Sequence, residues 1–309
     1  MKLKNKDILV TGGAGFIGSH LVEKLVNVGY TVTAIDNLSS GKISNLSDVI
    51  NEISFYKMDI QSYEDIKEIV KKQDVIFHIA ANASVPYSVE HPDYDFDTNA
   101  IGTFNILRAS VEANLEEVVY ASSAAVYGEP KYVPITEEHP LNPISPYGAS
   151  KLAGEKIGFA FKETYGLKFV ALRIFNTYGP RQPRYVLYDF FKKLKNKPEI
   201  LSVLGSGNQI RDYCYIDDMI DAFKIVAERG DSIYNAAGGQ STFIRDLAEY
   251  MVSKISPKTK IEYGEESWKG DIEILRADIS RLERLGFKTK NSLEEGLNKF
   301  ITWAKMEGL

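Results

Sequence analysis

Residues 11–18 read Thr-Gly-Gly-Ala-Gly-Phe-Ile-Gly, and this stretch decides the fold of the chain. An apolar segment, residues 8–10, precedes it, and a segment with helical spacing of apolar side chains follows it. Gly12, Gly15 and Gly18 then permit a tight turn, close approach of the backbone to a pyrophosphate, and close packing of helix on strand. The following helix also offers free N–H groups to the anion. The pattern predicts a dinucleotide-binding loop, and a purely structural glycine-rich turn is the alternative.

Strand-like and helix-like segments alternate from this loop to residue 174. We predict strands at 8–10, 31–35, 53–58, 74–79, 117–121 and 168–174, and helices at 16–28, 63–71, 93–114 and 147–165. Strands that are apolar throughout and alternate with helices form parallel sheets covered on both faces. The sequence therefore predicts an α/β fold with a Rossmann-type doubly wound parallel sheet and a smaller mixed α/β C-terminal substrate domain.

The second half of the chain is less regular, with Pro and Gly clusters at 179–183 and 205–207. Residues 213–235 read strand, helix, strand, and we place this unit beside the first domain. The predicted Rossmann domain covers 1–176 plus 211–235, and the predicted substrate domain covers 177–210 plus 236–309.

Composition excludes several other classes of protein. The 309 residues carry a net charge of −5 without a basic block, so neither nucleic acid nor an anionic membrane surface is an expected partner. No run of 18 apolar residues predicts a membrane span. Cys214 is the sole cysteine, which excludes an intrachain disulfide and a cysteine-rich metal cluster. We expect no metal and a cytoplasmic location.

Acidic and small residues at the predicted strand ends indicate which dinucleotide binds. Asp36 ends the second strand, where an acidic residue accepts hydrogen bonds from an adenosine ribose. A carboxylate there repels a 2′-phosphate, so NAD is favoured over NADP; a solvated strand-end Asp is the alternative. Asp59 ends the third strand within reach of the adenine edge. Ala80 and Ala81 end the fourth strand and let the cofactor lie against the backbone, with the preceding His78 a core residue.

Tyr147 and Lys151 are the predicted catalytic pair. They lie four residues apart and share one face of a helix. A phenol has a pKa of about 10, and a neighbouring ammonium favours the phenolate and brings it toward working pH. Ser123, at the tip of the preceding strand, completes a hydroxyl relay. A lone Tyr-x-x-x-Lys occurs on many solvated helices. Downstream of a serine-tipped strand and a dinucleotide-binding loop, it predicts nicotinamide redox chemistry at a carbinol.

The chain resembles the extended short-chain dehydrogenase/reductases, and within them the UDP-glucose and UDP-N-acetylglucosamine 4-epimerases. The resemblance covers nearly the whole chain and rests on residues 11–20, 36–41, 78–81, 122–123, 147–151, 173–181, 205–212, 270–271 and 277–280. It implies that Tyr147 removes the proton of the sugar 4-hydroxyl, that the C4 hydride passes to NAD, and that hydride returns to the other face of the 4-keto sugar. It further implies a UDP-hexose substrate, a role in galactose metabolism, and a homodimer through helices 93–114 and 147–165.

The motifs and the resemblance together predict the residues around both ligands. The predicted cofactor residues are Gly12, Gly15, Phe16, Ile17, Gly18, Asp36, Asn37, Ser40, Gly41, Asp59, Ile60, Ala80, Ala81, Asn99, Ser122, Tyr147 and Lys151. The predicted substrate residues are Ser84, Ser123, Tyr147, Asn176, Arg211, Asp271 and Leu275. The Arg211 guanidinium suits paired phosphate oxygens, and a salt bridge with Asp212 or Asp217 is its alternative role. Arg184, Tyr185, Tyr188 and Tyr215 are candidates to line the pocket.

Two positions distinguish the chain within the group that it resembles. The related 4,6-dehydratases carry an acidic residue, often an Asp-Glu pair, where this chain has Ala124 and Ala125, so C6 elimination lacks its proton donor. The epimerases usually have a second arginine where this chain has Trp268, and Lys269 or Arg181 is a candidate for the missing charge.

Three functions are compatible with the sequence. The first is 4-epimerisation of UDP-glucose and UDP-galactose, with the N-acetyl sugars neither admitted nor excluded by Leu275. The second is a related epimerase or a 4-ketoreductase acting on a dTDP-, GDP- or CDP-sugar. The third is a non-catalytic NAD(H)-binding regulatory protein, although such proteins usually lose the Tyr or the Lys that this chain keeps.

Overall fold

The computed structural model describes residues 3, 5–264 and 272–309. Its strands are β1 (Asp7–Thr11), β2 (Thr31–Asp36), β3 (Ser54–Lys57), β4 (Val75–His78), β5 (Glu117–Ser123), β6 (Lys168–Ile174), β7 (Asn176–Tyr178), β8 (Ile200–Val203), β9 (Ile210–Tyr215), β10 (Ile233–Ala236), β11 (Ser241–Phe243), β12 (Lys260–Tyr263) and β13 (Ile274–Leu275). Its helices are α1 (Phe16–Asn27), α2 (Tyr63–Val70), α3 (Val85–Glu90), α4 (Pro92–Phe96), α5 (Gly102–Glu112), α6 (Pro146–Tyr165), α7 (Val186–Asn196), α8 (Ile216–Arg229), α9 (Ile244–Ile255), α10 (Ser280–Arg284) and α11 (Leu293–Met306).

Seven parallel strands form the central sheet in the order β10-β6-β5-β4-β1-β2-β3. Successive residues of β1 point to opposite faces: Ile8 joins the buried cluster that contains α1 and α8, and Leu9 joins the cluster under α2 and α5. Both faces are therefore covered, which explains why the strands read as continuous apolar runs. The predicted Rossmann-type doubly wound sheet is confirmed. The strand order reverses beside β1, and ligands bind at such a point in open parallel sheets.

The helix predicted at 93–114 contains an irregularity that the sequence does not announce. The chain runs as α4 to Phe96, makes a π-helical turn over Asp97–Ile101, and continues as α5. A π-turn adds a residue to the turn and redirects the side chains around it, often at functional sites. Asn99 lies in this turn and is buried.

Residues after β6 build a second, smaller layer beside the carboxyl ends of the large sheet. β9 pairs with β7, β11 and β13, and β8 pairs with β12. Within the segment predicted to return to the first domain, β10 does pair with β6 in the large sheet, whereas β9 belongs to the smaller sheet. The exact domain boundaries stay a prediction. Among the described residues, none of the helices is both long enough and apolar enough to cross a membrane.

Candidate active site

A cavity of about 800 Å³ opens at the carboxyl ends of the central strands, between the large sheet and the smaller layer. Its wall includes all the predicted cofactor and substrate residues except three. Gly41 and Asn99 are not part of the wall, and Asp271 lies outside the described residues, as do Trp268 and Lys269. Segments far apart in the chain are thus brought to one site.

The glycine loop presents bare backbone to this cavity. Gly12 has a φ of +66°, and a Cβ atom on it would lie 2.8 Å from the Cα atom of Ala80. A Cβ atom on Gly18 would lie 2.0 Å from the carbonyl oxygen of Gly12. No side chain caps the N-terminus of α1, whose first N–H groups are therefore available to an anion. The loop fits a pyrophosphate that rests on main-chain atoms.

Asp36 anchors the other end of the predicted cofactor site. Its carboxylate accepts hydrogen bonds from the backbone N–H groups of Ala14 at 3.0 Å and Leu38 at 2.7 Å. Burial raises the pKa of Asp36, and these backbone donors lower it. A Cβ atom on Gly41 would lie 2.8 Å from Asp36 Oδ2, so a glycine is needed beside the carboxylate. Gly41 therefore leaves room for the Asp36 carboxylate.

Tyr147 stands in the first turn of α6, directly after the cap. Ser145 Oγ accepts a hydrogen bond from the Gly148 N–H at 3.1 Å and starts the helix. Ser123 ends β5, where its Oγ accepts from the Ala125 N–H at 3.2 Å and also hydrogen-bonds the Tyr147 side chain. Burial, and then the neighbouring Tyr185, raise the pKa of Tyr147, whereas the Ser123 hydrogen bond lowers it.

Lys151 lies one turn further along α6 and is buried, with 2% of its surface exposed. Its Nζ lies 4.4 Å from the centroid of the Tyr120 ring. Burial lowers the pKa of Lys151 to about 7, against the opposing charges of Asp95 and Glu155. Desolvation disfavours the charged forms of both Lys151 and Tyr147, so burial opposes the effect that the sequence predicts for the ammonium at the phenol, and that effect stays a prediction.

The substrate side combines residues from three separate segments. Asn176 begins β7, and Arg211 and Leu275 are direct partners in the pairing of β9 with β13. Arg211 Nη1 donates to the Ile210 carbonyl at 2.8 Å. Arg181, a candidate for an additional phosphate contact, instead pairs with Glu23 of α1 at 2.9 Å and is absent from the cavity wall.

The segment between Gly179 and α7 crosses the cavity. Tyr185 has a φ of +75°, which strains a non-glycine residue, and its hydroxyl donates to the Ala83 carbonyl on the opposite side. Gln182 is also in the wall and is buried. Of the four aromatic and basic candidates, Arg184 and Tyr185 line the cavity, whereas Tyr215 is buried in the core and the half-buried Tyr188 packs against it.

Sequence reasoning missed several residues of the wall, among them Tyr94, Thr98 and Gln182. Thr98 lies in the π-turn, which no pattern in the sequence predicts, and Tyr94 lies in α4 directly before it. Gln182 follows a Gly-Pro-Arg stretch that marks a loop, which could have drawn attention to it. His78 is a buried core residue as predicted, bonded to Thr11 at 2.7 Å and to Thr103 at 3.0 Å.

The geometry defines a dinucleotide-binding sheet with a Tyr-Lys-Ser site at its carboxyl edge, and comparison with known proteins identifies the family. Residues 8–237 match the NAD dependent epimerase/dehydratase family, and the chain belongs to it. A putative UDP-glucose 4-epimerase of Methanocaldococcus jannaschii is 38% identical over 305 residues, which cover 96% of this chain and 98% of that relative.

Two solved structures show how far the likeness extends. The UDP-glucose 4-epimerase of Thermotoga maritima, determined with UDP-glucose, superposes with a TM-score of 0.93 at 35% identity, covering 98% of this chain and 100% of that one. DesIV, a dTDP-glucose 4,6-dehydratase of Streptomyces venezuelae determined with NAD, has a TM-score of 0.90 at 30% identity, covering 97% of each chain. The protein is therefore an NAD-dependent enzyme of the nucleotide-sugar epimerase/dehydratase class, and the glycine loop and Asp36 fit its cofactor, NAD.

Proposed function

We propose that the protein catalyses the NAD-dependent 4-epimerisation of a nucleotide sugar, with UDP-glucose and UDP-galactose as the first candidates. The observation that carries the proposal is the pair Ala124 and Ala125 in the cavity wall directly after Ser123. The methyl side chains of Ala124 and Ala125 cannot transfer a proton, so elimination of the sugar 6-hydroxyl lacks a general acid at these positions. The Tyr147, Lys151 and Ser123 groups that epimerisation needs all line the same cavity.

The side chains of this chain divide the work of the reaction. NAD, when bound, would supply the acceptor and the donor of the C4 hydride, and the glycine loop and Asp36 would hold it. Tyr147 accepts the proton of the 4-hydroxyl and later gives it back, and the Ser123 hydroxyl supports the phenolate by a hydrogen bond. Lys151, as an ammonium, favours the phenolate by its charge. Because the hydride is returned, no net oxidant or reductant is consumed.

The nucleotide-sugar part of the proposal depends on the smaller layer. Arg211 supplies a guanidinium for the diphosphate, and Asn176 supplies an amide beside it. Leu275, next to Arg211 across the strand pair, is the candidate for contact with the sugar 2-substituent. The intermediate size of Leu275 favours neither a 2-hydroxyl nor a 2-N-acetyl group. UDP-glucose and UDP-galactose are therefore the first candidates because of the family resemblance.

A homodimer belongs to the same proposal. Ile101 and Phe104 of the π-turn and α5, and Tyr165 of α6, are each more than a third exposed although they are large and apolar. These residues lie on the helices that form a four-helix bundle in the enzymes that the chain resembles. Light scattering on the wild type and on Phe104→Glu tests this: we expect a dimer and a monomer, respectively. The cytoplasmic location and the role in galactose metabolism stay predictions.

A panel of sugar nucleotides tests the activity directly. The purified protein is incubated with UDP-, dTDP-, GDP- and CDP-sugars without added cofactor, and the products are identified by NMR. We expect C4 epimers from at least one UDP-hexose. Loss of the 6-hydroxyl would instead identify a dehydratase, and turnover only with added NAD(P)H would identify a 4-ketoreductase.

The same panel addresses the non-catalytic alternative. A protein that binds NAD(H) but converts none of the sugars would be a regulatory NAD(H)-binding protein, and the proposal would be overturned. The absorbance spectrum of the denatured protein, which releases bound dinucleotide, shows whether the cofactor was present in that experiment.

A further inference from the structure

A buried carboxylate lies behind the catalytic helix and belongs to none of the predicted sites. Asp95, in α4, has no exposed surface. Its Oδ2 accepts a hydrogen bond from Ser150 Oγ at 2.6 Å, and its Oδ1 accepts from Asn82 Nδ2 at 2.8 Å and from Asn99 Nδ2 at 3.1 Å. All three donors are uncharged. A carboxylate taken out of water needs a cation as well as donors, because hydrogen bonds alone offset only part of the desolvation cost.

The buried cation that adjoins this cluster in α6 is Lys151. Ser150, which donates to the Asp95 carboxylate, precedes Lys151 in α6. The charges of Asp95 and Lys151 act on each other: Asp95 raises the pKa of Lys151, and Lys151 lowers that of Asp95 against the effect of burial. Neither group is exposed by more than 2%, so water screens the interaction little.

The other ionisable groups around Lys151 come from α6, β4, β5 and β6. Glu155 of α6 is bound to Arg173 of β6 at 2.7 and 2.9 Å and accepts from Ser122 at 2.5 Å, so its charge is already compensated. His78 of β4 stays neutral because burial lowers its pKa to about 3.

Two phenols complete the surroundings of Lys151. Tyr120 of β5 presents its ring to Nζ, and burial raises its pKa well above the usual range. Tyr147 of α6 is the phenol that Lys151 serves, and its pKa is also raised. Neither phenol supplies a negative charge at rest. Among the described residues, Asp95 is therefore the carboxylate near Lys151 without an arginine of its own.

We propose that Asp95 is a positioning residue, the buried counter-ion that keeps Lys151 an ammonium, and that Asn82, Asn99 and Ser150 hold its carboxylate in place. Its catalytic consequence rests on the function proposed above, whereas the charge state of Lys151 can be measured independently. This role also explains the π-turn, because the turn places the side-chain amide of Asn99 within this cluster. Asn99 Nδ2 lies 3.1 Å from each of Asp95 Oδ1, Ser150 Oγ and the Asn82 carbonyl oxygen.

The direction of the effect follows from the sign of the charges. Burial favours the neutral amine of Lys151. Its pKa of about 7 already includes the effect of the Asp95 charge, which raises it. Replacing Asp95 with a neutral residue of the same shape lowers the pKa of Lys151 further. The ammonium is then lost at a lower pH, and the alkaline limb of the activity profile moves in the same direction.

The test measures the protonation of Lys151 in Asp95→Asn. The full-length protein with NAD bound is labelled with ¹³Cε-lysine, the Lys151 signal is assigned by its absence in Lys151→Arg, and its titration midpoint is followed by NMR. We expect the midpoint to fall by about one to three pH units, the usual effect of an opposite charge at short range. Asp97→Asn, an exposed acid two residues further along, is the matched control and should leave the midpoint unchanged.

A folded Asp95→Asn protein with an unchanged Lys151 midpoint would overturn the proposal. If that variant does not fold, the wild type still decides the question: the ¹³Cγ signal of Asp95 should titrate together with Lys151, and independent titrations would contradict the pairing.

In the activity assay, Asp95→Asn should lose about tenfold in kcat per unit of midpoint shift at pH 8 and recover as the pH is lowered. An equal loss at every pH would indicate structural damage. Absence of any epimerisation by the wild type would refute the proposed function but not the NMR result.

Discussion

The cofactor side of the cavity and its substrate side are built in different ways. The cofactor side consists of short continuous segments at successive strand ends, such as the glycine loop after β1 and Asp36 at the end of β2. The substrate side combines Asn176, Arg211 and Leu275, which only the pairing of β7, β9 and β13 brings together. A contiguous motif can be recognised in one sequence, whereas a site assembled from distant segments cannot. The cofactor is therefore established, and the sugar remains a proposal.

Tyr147→Phe gives the largest expected effect, because Tyr147 lies where the two sides meet. We expect kcat to fall about a thousandfold, the contribution typical of a positioned acid/base group, with NAD content and substrate affinity retained. Initial rates, released cofactor and calorimetric binding of the sugar nucleotide measure the three quantities. Tyr188→Phe, at a half-buried position outside the cavity wall, is the control. Full activity of Tyr147→Phe would contradict the proposed role of Tyr147 as the acid/base group.

Gly18→Ala tests the cofactor side alone. The added methyl carbon would lie 2.0 Å from the Gly12 carbonyl oxygen, so the loop must move away from its pyrophosphate-binding shape. Overpacking of this kind costs about 1–3 kcal/mol, and we expect NAD affinity to fall about 10- to 100-fold. Gly166→Ala, at a helix end where φ is +75° and alanine strains the backbone away from the cavity, controls for general loss of stability. Unchanged NAD binding would show that the loop does not need its close packing.

Arg211→Lys tests the substrate side alone. Lysine keeps the charge but loses the planar fork that matches paired phosphate oxygens. We expect the KM for the sugar nucleotide to rise about tenfold, within the range for a charge-assisted hydrogen bond, with kcat and NAD content little changed. Lys192→Arg, on α7 outside the cavity wall, is a control of similar chemistry. A change in NAD affinity as large as the change in KM would contradict the separation of the two sides.

Leu275→Ser gives the smallest expected effect and sharpens the choice of sugar. A smaller side chain makes room beside the sugar 2-substituent, so the ratio of kcat/KM for UDP-N-acetylglucosamine over UDP-glucose should rise by about tenfold or less. Competition between the two substrates in one NMR tube measures the ratio directly. Leu282→Ser would be unsuitable as a control because Leu282 is fully buried, and Leu204→Ser, at an exposed part of the cavity wall, serves instead. An unchanged ratio would show that Leu275 only packs.

Much of the fold follows from local patterns. The glycine loop, the apolar strands and the helical spacing predicted the large parallel sheet, because each pattern reports on the nearest neighbours of the residues that carry it. The π-turn at Asp97–Ile101 and the membership of β9 in the smaller sheet were not predicted. Both depend on what packs against these segments, and that information lies elsewhere in the chain.

The site shows the same division. Sequence spacing placed Tyr147, Lys151 and Ser123 together, since two share a helix face and the third ends a neighbouring strand. It did not reveal that burial raises the pKa of Tyr147 and lowers that of Lys151, or that the buried Asp95 accepts a hydrogen bond from Ser150, the residue before Lys151. Charge states in a buried site depend on every group around it, so a motif alone does not determine them.

The amino-acid sequence by itself determined the parallel sheet and the choice of NAD over NADP, and it predicted the catalytic trio, because the motifs that carry them are short runs of residues. Only the tertiary structure decided how burial shifts the pKa values of Tyr147 and Lys151, which donors surround the buried Asp95 carboxylate, and how the strained Tyr185 reaches the Ala83 carbonyl. The physical reason is that desolvation and electrostatic pairing act through space, between residues that the chain order keeps far apart.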